Sequence, residues 1–235
     1  TPLPAKVVAR DLNPNGIAGR IDRAGDSRTY SFTLRNDTSL LFDSLTSNAS
    51  FNWTLTGPSG KVDGRSFTQT DGFTDFSKTP VVAVRAGDYT LTIDADGDAT
   101  GAFNLQLLDL ATADPIPLGT RIEGTMAPAN QSRAFNFTAA KGDRLFLDAH
   151  TSSHHLLWRL YDAGGRTQLA SSNFADATFT APVDGTYTLV LEGSSQGSGS
   201  ETPYAFTVQP VDDRTVDLSL NTVIRDGIAT TGEIN

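Results

Sequence analysis

Thr29-Tyr30-Ser31-Phe32-Thr33-Leu34 puts every second side chain on an apolar face, and the run returns as Ala134-Phe135-Asn136-Phe137-Thr138. Ser27-Arg28 precedes the first copy and Ser132-Arg133 the second. Farther along, Trp53-Thr54-Leu55 with Gly60 behind it returns as Trp158-Arg159-Leu160 with Gly165 behind it. Both pairs are 105 residues apart (30 to 135, 53 to 158). Gly87-Asp88-Tyr89-Thr90-Leu91 returns as Gly185-Thr186-Tyr187-Thr188-Leu189, now 98 apart, because the intervening loops differ in length. A period of two residues is that of a strand with one face in a core and one in water. Two tandem copies of such a module are the signature of a spacer or a binder rather than of an enzyme.

The same alternation marks Phe51/Trp53/Leu55, Tyr89/Leu91/Ile93 and Phe103/Leu105/Leu107 in the first copy. In the second copy it marks Leu156/Trp158/Leu160, Tyr187/Leu189/Leu191 and Tyr204/Phe206/Val208. Turn residues separate the runs, as in Gly57-Pro58-Ser59-Gly60, Asp96-Gly97, Asp162-Ala163-Gly164-Gly165 and Asp184-Gly185. No stretch carries a helical period. The expected fold is all-β, two tandem antiparallel β-sandwich modules of jelly-roll type. The first module takes residues 1–108 and the second 109–211. Residues 212–235 open a third copy or form a linker, since Gly227 to Glu233 resembles Gly19 to Asp26. Pro115 and Pro117 in the short joint predict a stiff connection.

Composition narrows the function. The net charge of −9, with Lys and Arg scattered, opposes binding to nucleic acid or to an anionic membrane surface. The absence of cysteine removes disulfides and thiolate metal sites. No apolar run is long enough to form a transmembrane segment.

The sharpest local feature is Asp94-Ala95-Asp96-Gly97-Asp98. Asp94, Asp96 and Asp98 alternate around a glycine turn, so they read either as ligands of one calcium ion or as an acidic, well-solvated hairpin loop. The corresponding loop of the second copy, Glu192 to Glu201, is Gly/Ser-rich and poor in ligands. His154 and His155 are adjacent, so on a strand they point to opposite faces and do not share a metal. A pairing of His155 with Asp148 or Asp162 is the remaining acid–base arrangement, against the simpler reading of a partly exposed strand start. Trp53 and Trp158 are sugar-stacking platforms or core residues, and their place in an alternating apolar run favours the core. Neither a Gly-x-Ser-x-Gly elbow nor a phosphate-binding glycine loop is present.

In each copy the order is a Gly-x-Ile/Met opening (Gly19-Arg20-Ile21; Gly124-Thr125-Met126), aromatic-x-Phe-Thr, Trp-x-Leu with a glycine turn, Gly-x-Tyr-Thr-Leu, and a final aromatic strand. This order resembles the bacterial pre-peptidase C-terminal domain family. The resemblance implies a jelly-roll-like sandwich found beside secreted peptidases and in large secreted or surface repeat proteins. Collagenase relatives in that family bind collagen and calcium. Here the opening reads Arg10-Asp11-Leu12-Asn13-Pro14 and Pro115-Ile116-Pro117-Leu118, and Arg28 and Arg133 stand where the family has an acidic residue. Those departures leave the family's calcium site and its collagen binding without their residues. The expected role is therefore a non-enzymatic extracellular or cell-surface extender or adhesion module, with neighbouring repeats and a glycan or protein ligand as partners. The alternative is an accessory module that targets or stabilises a secreted peptidase or other hydrolase.

Overall fold

In the computed structural model the alternating stretches are strands of two sandwiches built on one plan. The structure describes residues 5–6, 16–70, 81–153, 155–194, 201–212 and 220. The expected third-copy opening, His154 and the stretch 195–200 lie outside these, Leu220 apart. Among the described residues no helix is long and apolar enough to cross a membrane.

The N-terminal sandwich contains β1 (Ala5–Lys6), β2 (Ile17–Ile21), β3 (Arg28–Leu34), β4 (Thr38–Ser44), β5 (Phe51–Gly57), β6 (Gly60–Ser66), β7 (Val81–Val84), β8 (Gly87–Ala95) and β9 (Gly101–Asp109). The C-terminal sandwich repeats them as β10 (Asp114–Pro115), β11 (Arg121–Met126), β12 (Ser132–Ala139), β13 (Arg144–Ala149), β14 (Leu156–Tyr161), β15 (Gln168–Asn173), β16 (Ala177–Thr180), β17 (Gly185–Gly193) and β18 (Thr202–Pro210). A five-stranded sheet ordered β1-β3-β8-β5-β6 packs on a four-stranded sheet ordered β2-β9-β4-β7. The second copy gives β10-β12-β17-β14-β15 on β11-β18-β13-β16.

The duplication reaches single residues. Trp53 pairs with Ile93 as Trp158 pairs with Leu191. The register slips after Leu55 in one copy and after Leu160 in the other, so even the bulge is repeated. All pairing is antiparallel except for two short additions, β1 on β3 and β10 on β12, which occupy the same register in both copies.

Each core is filled from the inward face of both sheets. Trp53 stacks on Phe42 with ring centroids 4.5 Å apart, and its Nε1 donates to Thr70 Oγ1 at 2.7 Å. Trp158 is buried at the matching position and donates to the Ala175 carbonyl at 3.1 Å. Both rings are core rather than sugar platforms. Thr70 belongs to a four-residue helix, Phe67–Thr70, which has no signal in the alternation and plugs Phe67 into the first core. The Gly-x-Ile/Met opening also has a steric cause. A Cβ on Gly19 would stand 2.2 Å from the Phe103 ring, and one on Gly124 would stand 2.5 Å from the Tyr204 hydroxyl. Glycine there lets an aromatic ring of the adjacent strand lie flat across the backbone.

Candidate functional site at the seam between the sandwiches

Asp94, Asp96 and Asp98 occupy the end of β8 and the turn after it, and Asp94, Asp96 and Asp98 are all exposed. Asp96 Oδ1 accepts from Asn52 Nδ2 at 2.8 Å, and Asp94 Oδ1 accepts from its neighbour's amide, Ala95 N, at 2.8 Å. Among the described residues no three His, Cys, Asp or Glu side chains form a group able to hold a metal ion.

The histidine beside a carboxylate is His150 and not His155. His150 Nε2 lies 2.7 Å from Thr207 Oγ1 and 3.8 Å from Asp148 Oδ2. Both neighbours meet the same ring nitrogen, so no Asp–His–hydroxyl relay is formed. His155 is exposed just before β14, and its backbone amide donates to Ser153 Oγ.

The built site is elsewhere. The outer face of the N-terminal four-stranded sheet meets the outer face of the C-terminal five-stranded sheet. β4 is buried at all seven positions and β14 at all six, where a strand with one wet face would alternate. Leu41, Val81 and Leu110 pack on Tyr161 and Val190, with Leu108 and Ala134 at the margin. Tyr161 and Val190 are both 0% exposed.

A polar ladder runs beside this apolar patch. Asp43 Oδ2 accepts from Gln106 Nε2 at 2.6 Å in its own module and from Ser132 N at 2.8 Å across the seam. Gln106 Nε2 also donates to the Ser132 carbonyl at 2.7 Å, and Asn130 Nδ2 donates to the Ser44 carbonyl at 2.9 Å. These bonds satisfy buried donors and acceptors that would otherwise oppose docking. On the same outer face of β14 and β17, Arg159 Nε donates to Glu192 Oε1 at 3.0 Å, and Arg159 Nη1 donates to Gln168 Oε1 at 2.8 Å. The pair is buried, with side chains 0% and 3% exposed.

The joint is part of the seam. The segment after β9 turns through Leu110–Thr112, and Asp109 caps that turn by accepting from Ala111 N. The chain then pairs with β12 as β10, and Asn136 Nδ2 donates to the Leu110 carbonyl at 3.1 Å. The stiffness expected from Pro115 and Pro117 thus has a second source, strand pairing. On the far side of the seam, Asp162 organises the Asp162–Thr167 loop. Burial pushes its carboxyl up, but amide donors from Arg166, Thr167 and Gly164 outweigh that and hold it below the usual carboxylate range. The loop presents Gly165, at φ 63°, to Leu110 and Ser39, and glycine suits that left-handed backbone. The Arg166–Asp37 contact, 4.0 Å between two exposed side chains, adds little.

No family model matches this chain, and no curated protein does. Solved structures do show likenesses. The periplasmic g-type lysozyme inhibitor PliG of Aeromonas hydrophila is 12% identical, with a TM-score of 0.38, covering 43% of this chain and 96% of its own. The pre-peptidase C-terminal domain of a Bacillus anthracis collagenase is 20% identical, with a TM-score of 0.36, covering 41% of this chain and 94% of its own. The CUB1-EGF-CUB2 domains of rat MASP-1 are 10% identical, with a TM-score of 0.30, covering 88% of this chain and 100% of their own. At these scores the likenesses assign neither a family nor an activity.

Proposed function

We propose that this chain is a non-enzymatic pair of repeat modules from an extracellular or cell-surface bacterial protein, acting as an extender that holds a neighbouring binding region at a set distance and angle. The observation that carries this reading is the seam. A spacer transmits position only when its joint does not bend, and here two outer sheet faces are buried against each other and tied by side-chain hydrogen bonds. The acidic, cysteine-free composition and the duplicated module support the same reading. The test is small-angle scattering of the whole chain together with glycan and collagen arrays. One fixed inter-module arrangement is expected, and scattering that requires several arrangements would overturn the extender reading.

A second reading, an accessory module of a secreted peptidase or other hydrolase, is favoured by the motif order shared with pre-peptidase C-terminal domains. A single catalytic domain in the parent protein would favour it, whereas many further copies of the module would favour the extender or adhesion reading. Calcium at Asp94, Asp96 and Asp98 is a separate proposal resting on their spacing around Gly97 alone, and it requires the turn to close, since the three carboxylates form no metal-holding group as they stand. Saturating calcium should then raise the melting temperature, and Asp96→Ala should cancel the rise. No shift, or a shift that survives Asp96→Ala, would remove the site.

A further inference from the structure

We propose that the two sandwiches form one directional, cooperative unit, in which the five-stranded outer face of the C-terminal sandwich is a receptor for the four-stranded outer face of the N-terminal one. The inference deepens the extender reading and rests on it for its biological sense, but its physical content stands on the seam alone.

Each docking face differs from its own duplicate in the other sandwich. Strand register fixes the equivalences. Thr54 pairs with Thr92 where Arg159 pairs with Val190, and Asn52 pairs with Asp94 where Leu157 pairs with Glu192. Thr54, Thr56, Thr92 and Asp94 therefore hold the places of Arg159, Tyr161, Val190 and Glu192. The four-stranded sheets differ in the same sense. Leu41 pairs with Val81 and Leu108, whereas Phe146 pairs with Thr178 and Gln209. Apolar side chains and the one buried Arg–Glu pair among the described residues are thus concentrated on the two faces that meet, and the two outer ends of the stack carry mostly polar and charged side chains. Polar outer faces are what end a stack of repeats. The contact joins two different faces, so it is heterologous, and these end faces keep it from propagating.

The Arg159–Glu192 pair lies wholly within the C-terminal face and sets that face apart from its duplicate. A buried ion pair adds little net stability, and its best-attested use is to fix which partner and which register are allowed. The N-terminal sandwich has Thr54 and Asp94 there, so its equivalent face lacks this device. Asp43 works from the opposite face, where its carboxylate accepts the Ser132 amide only in this one relative placement.

The test is calorimetry of the whole chain with three variants. Wild type is expected to unfold in a single transition whose van't Hoff and calorimetric enthalpies agree for the whole chain. Leu41→Asp sets a carboxylate against Tyr161 and Val190 and should split the transition in two and enlarge the radius of gyration. Phe146→Asp, at the duplicate position on the outer face of the C-terminal four-stranded sheet, should leave one transition and an unchanged radius. If Leu41→Asp does not fold, Asp43→Asn, nearly the same shape, should still lower the cooperative ratio below one. Two well-separated transitions in wild type, a single transition in both seam variants, or equal splitting by Phe146→Asp would each overturn the inference. Scattering that requires several inter-module arrangements would instead count against the extender reading, whereas ligand capture on the arrays would add direct adhesion to it and leave the seam intact.

Discussion

β5 and β8 of the first sandwich and β14 and β17 of the second are the same strands in the same register, yet they live in different surroundings. Along β5 buried and half-exposed residues alternate until the strand end, as they do along β8. Along β14 every residue is buried, and along β17 every residue from Tyr187 to Gly193 is. The inward positions barely differ: Phe51, Trp53 and Leu55 against Leu156, Trp158 and Leu160. All the difference lies outside, in Asn52, Thr54 and Thr56 against Leu157, Arg159 and Tyr161. A strand's inner face specifies the module, and its outer face specifies the module's neighbour.

The comparison can be broken at several strengths. The largest effect is expected in the shared core. Trp53→Ala and Trp158→Ala should each cost about 3–5 kcal/mol in urea or thermal unfolding, since each removes a fully packed ring. Ready quenching of native tryptophan fluorescence by iodide would contradict that burial. Next, Arg159→Met should cost about 3 kcal/mol by leaving Glu192 buried without its guanidinium, and Arg159→Met with Glu192→Leu should recover most of it. Thr54→Met, which puts the same residue at the equivalent position of the first copy, should stay within about 0.5 kcal/mol. A large effect at Thr54 would mean that the outer faces are more alike than they look. Gly19→Ala and Gly124→Ala should each cost about 1–3 kcal/mol and by similar amounts, because the ring beneath must shift.

The smallest expected effect is one of pH. The carboxyl of Asp162 is held below its usual range when folded, so the stability it gives is present above the unfolded-state value. That stability is lost as pH falls through the lower folded-state value. Protection factors for hydrogen exchange at Arg166 and Thr167, taken relative to the intrinsic rate at each pH, should therefore fall in acid, and Asp162→Asn should flatten that response.

The inner faces were readable from sequence because period-two alternation reports burial on one side directly. β4 and β14 were readable only in part. Leu156-Leu157-Trp158-Arg159-Leu160-Tyr161 carries its own warning, an unbroken apolar run with one arginine, as a strand covered on both faces must. Ser39-Leu40-Leu41-Phe42-Asp43-Ser44 is a weaker version of the same signal. What covers such a strand is a long-range fact that local pattern does not hold. The Asp94–Asp98 spacing shows the limit from the other side. Alternation around a glycine brings carboxylates near one another in sequence, but it does not foretell that Asn52, on the neighbouring strand, donates to Asp96. Of the residues that organise the seam, Asp43, Gln106 and Asn130 carry no motif, Ser132 belongs only to the repeated Ser-Arg pair, and the four become a group only through the docking of two sheets.

The joint between the sandwiches has one further consequence. Proteases engage their targets as extended chain with free backbone donors and acceptors, and the stretch between two domains is where they usually find it. Here that stretch is already spent. Asp114 and Pro115 are paired along β12, Ile116 donates its amide to the Asn136 carbonyl at 2.8 Å, and its side chain is buried. To cut there, a peptidase must first peel a strand off a sheet. Were the chain to work beside a secreted hydrolase, as the second reading has it, a joint sewn into its own sheet would deny that enzyme an extended site.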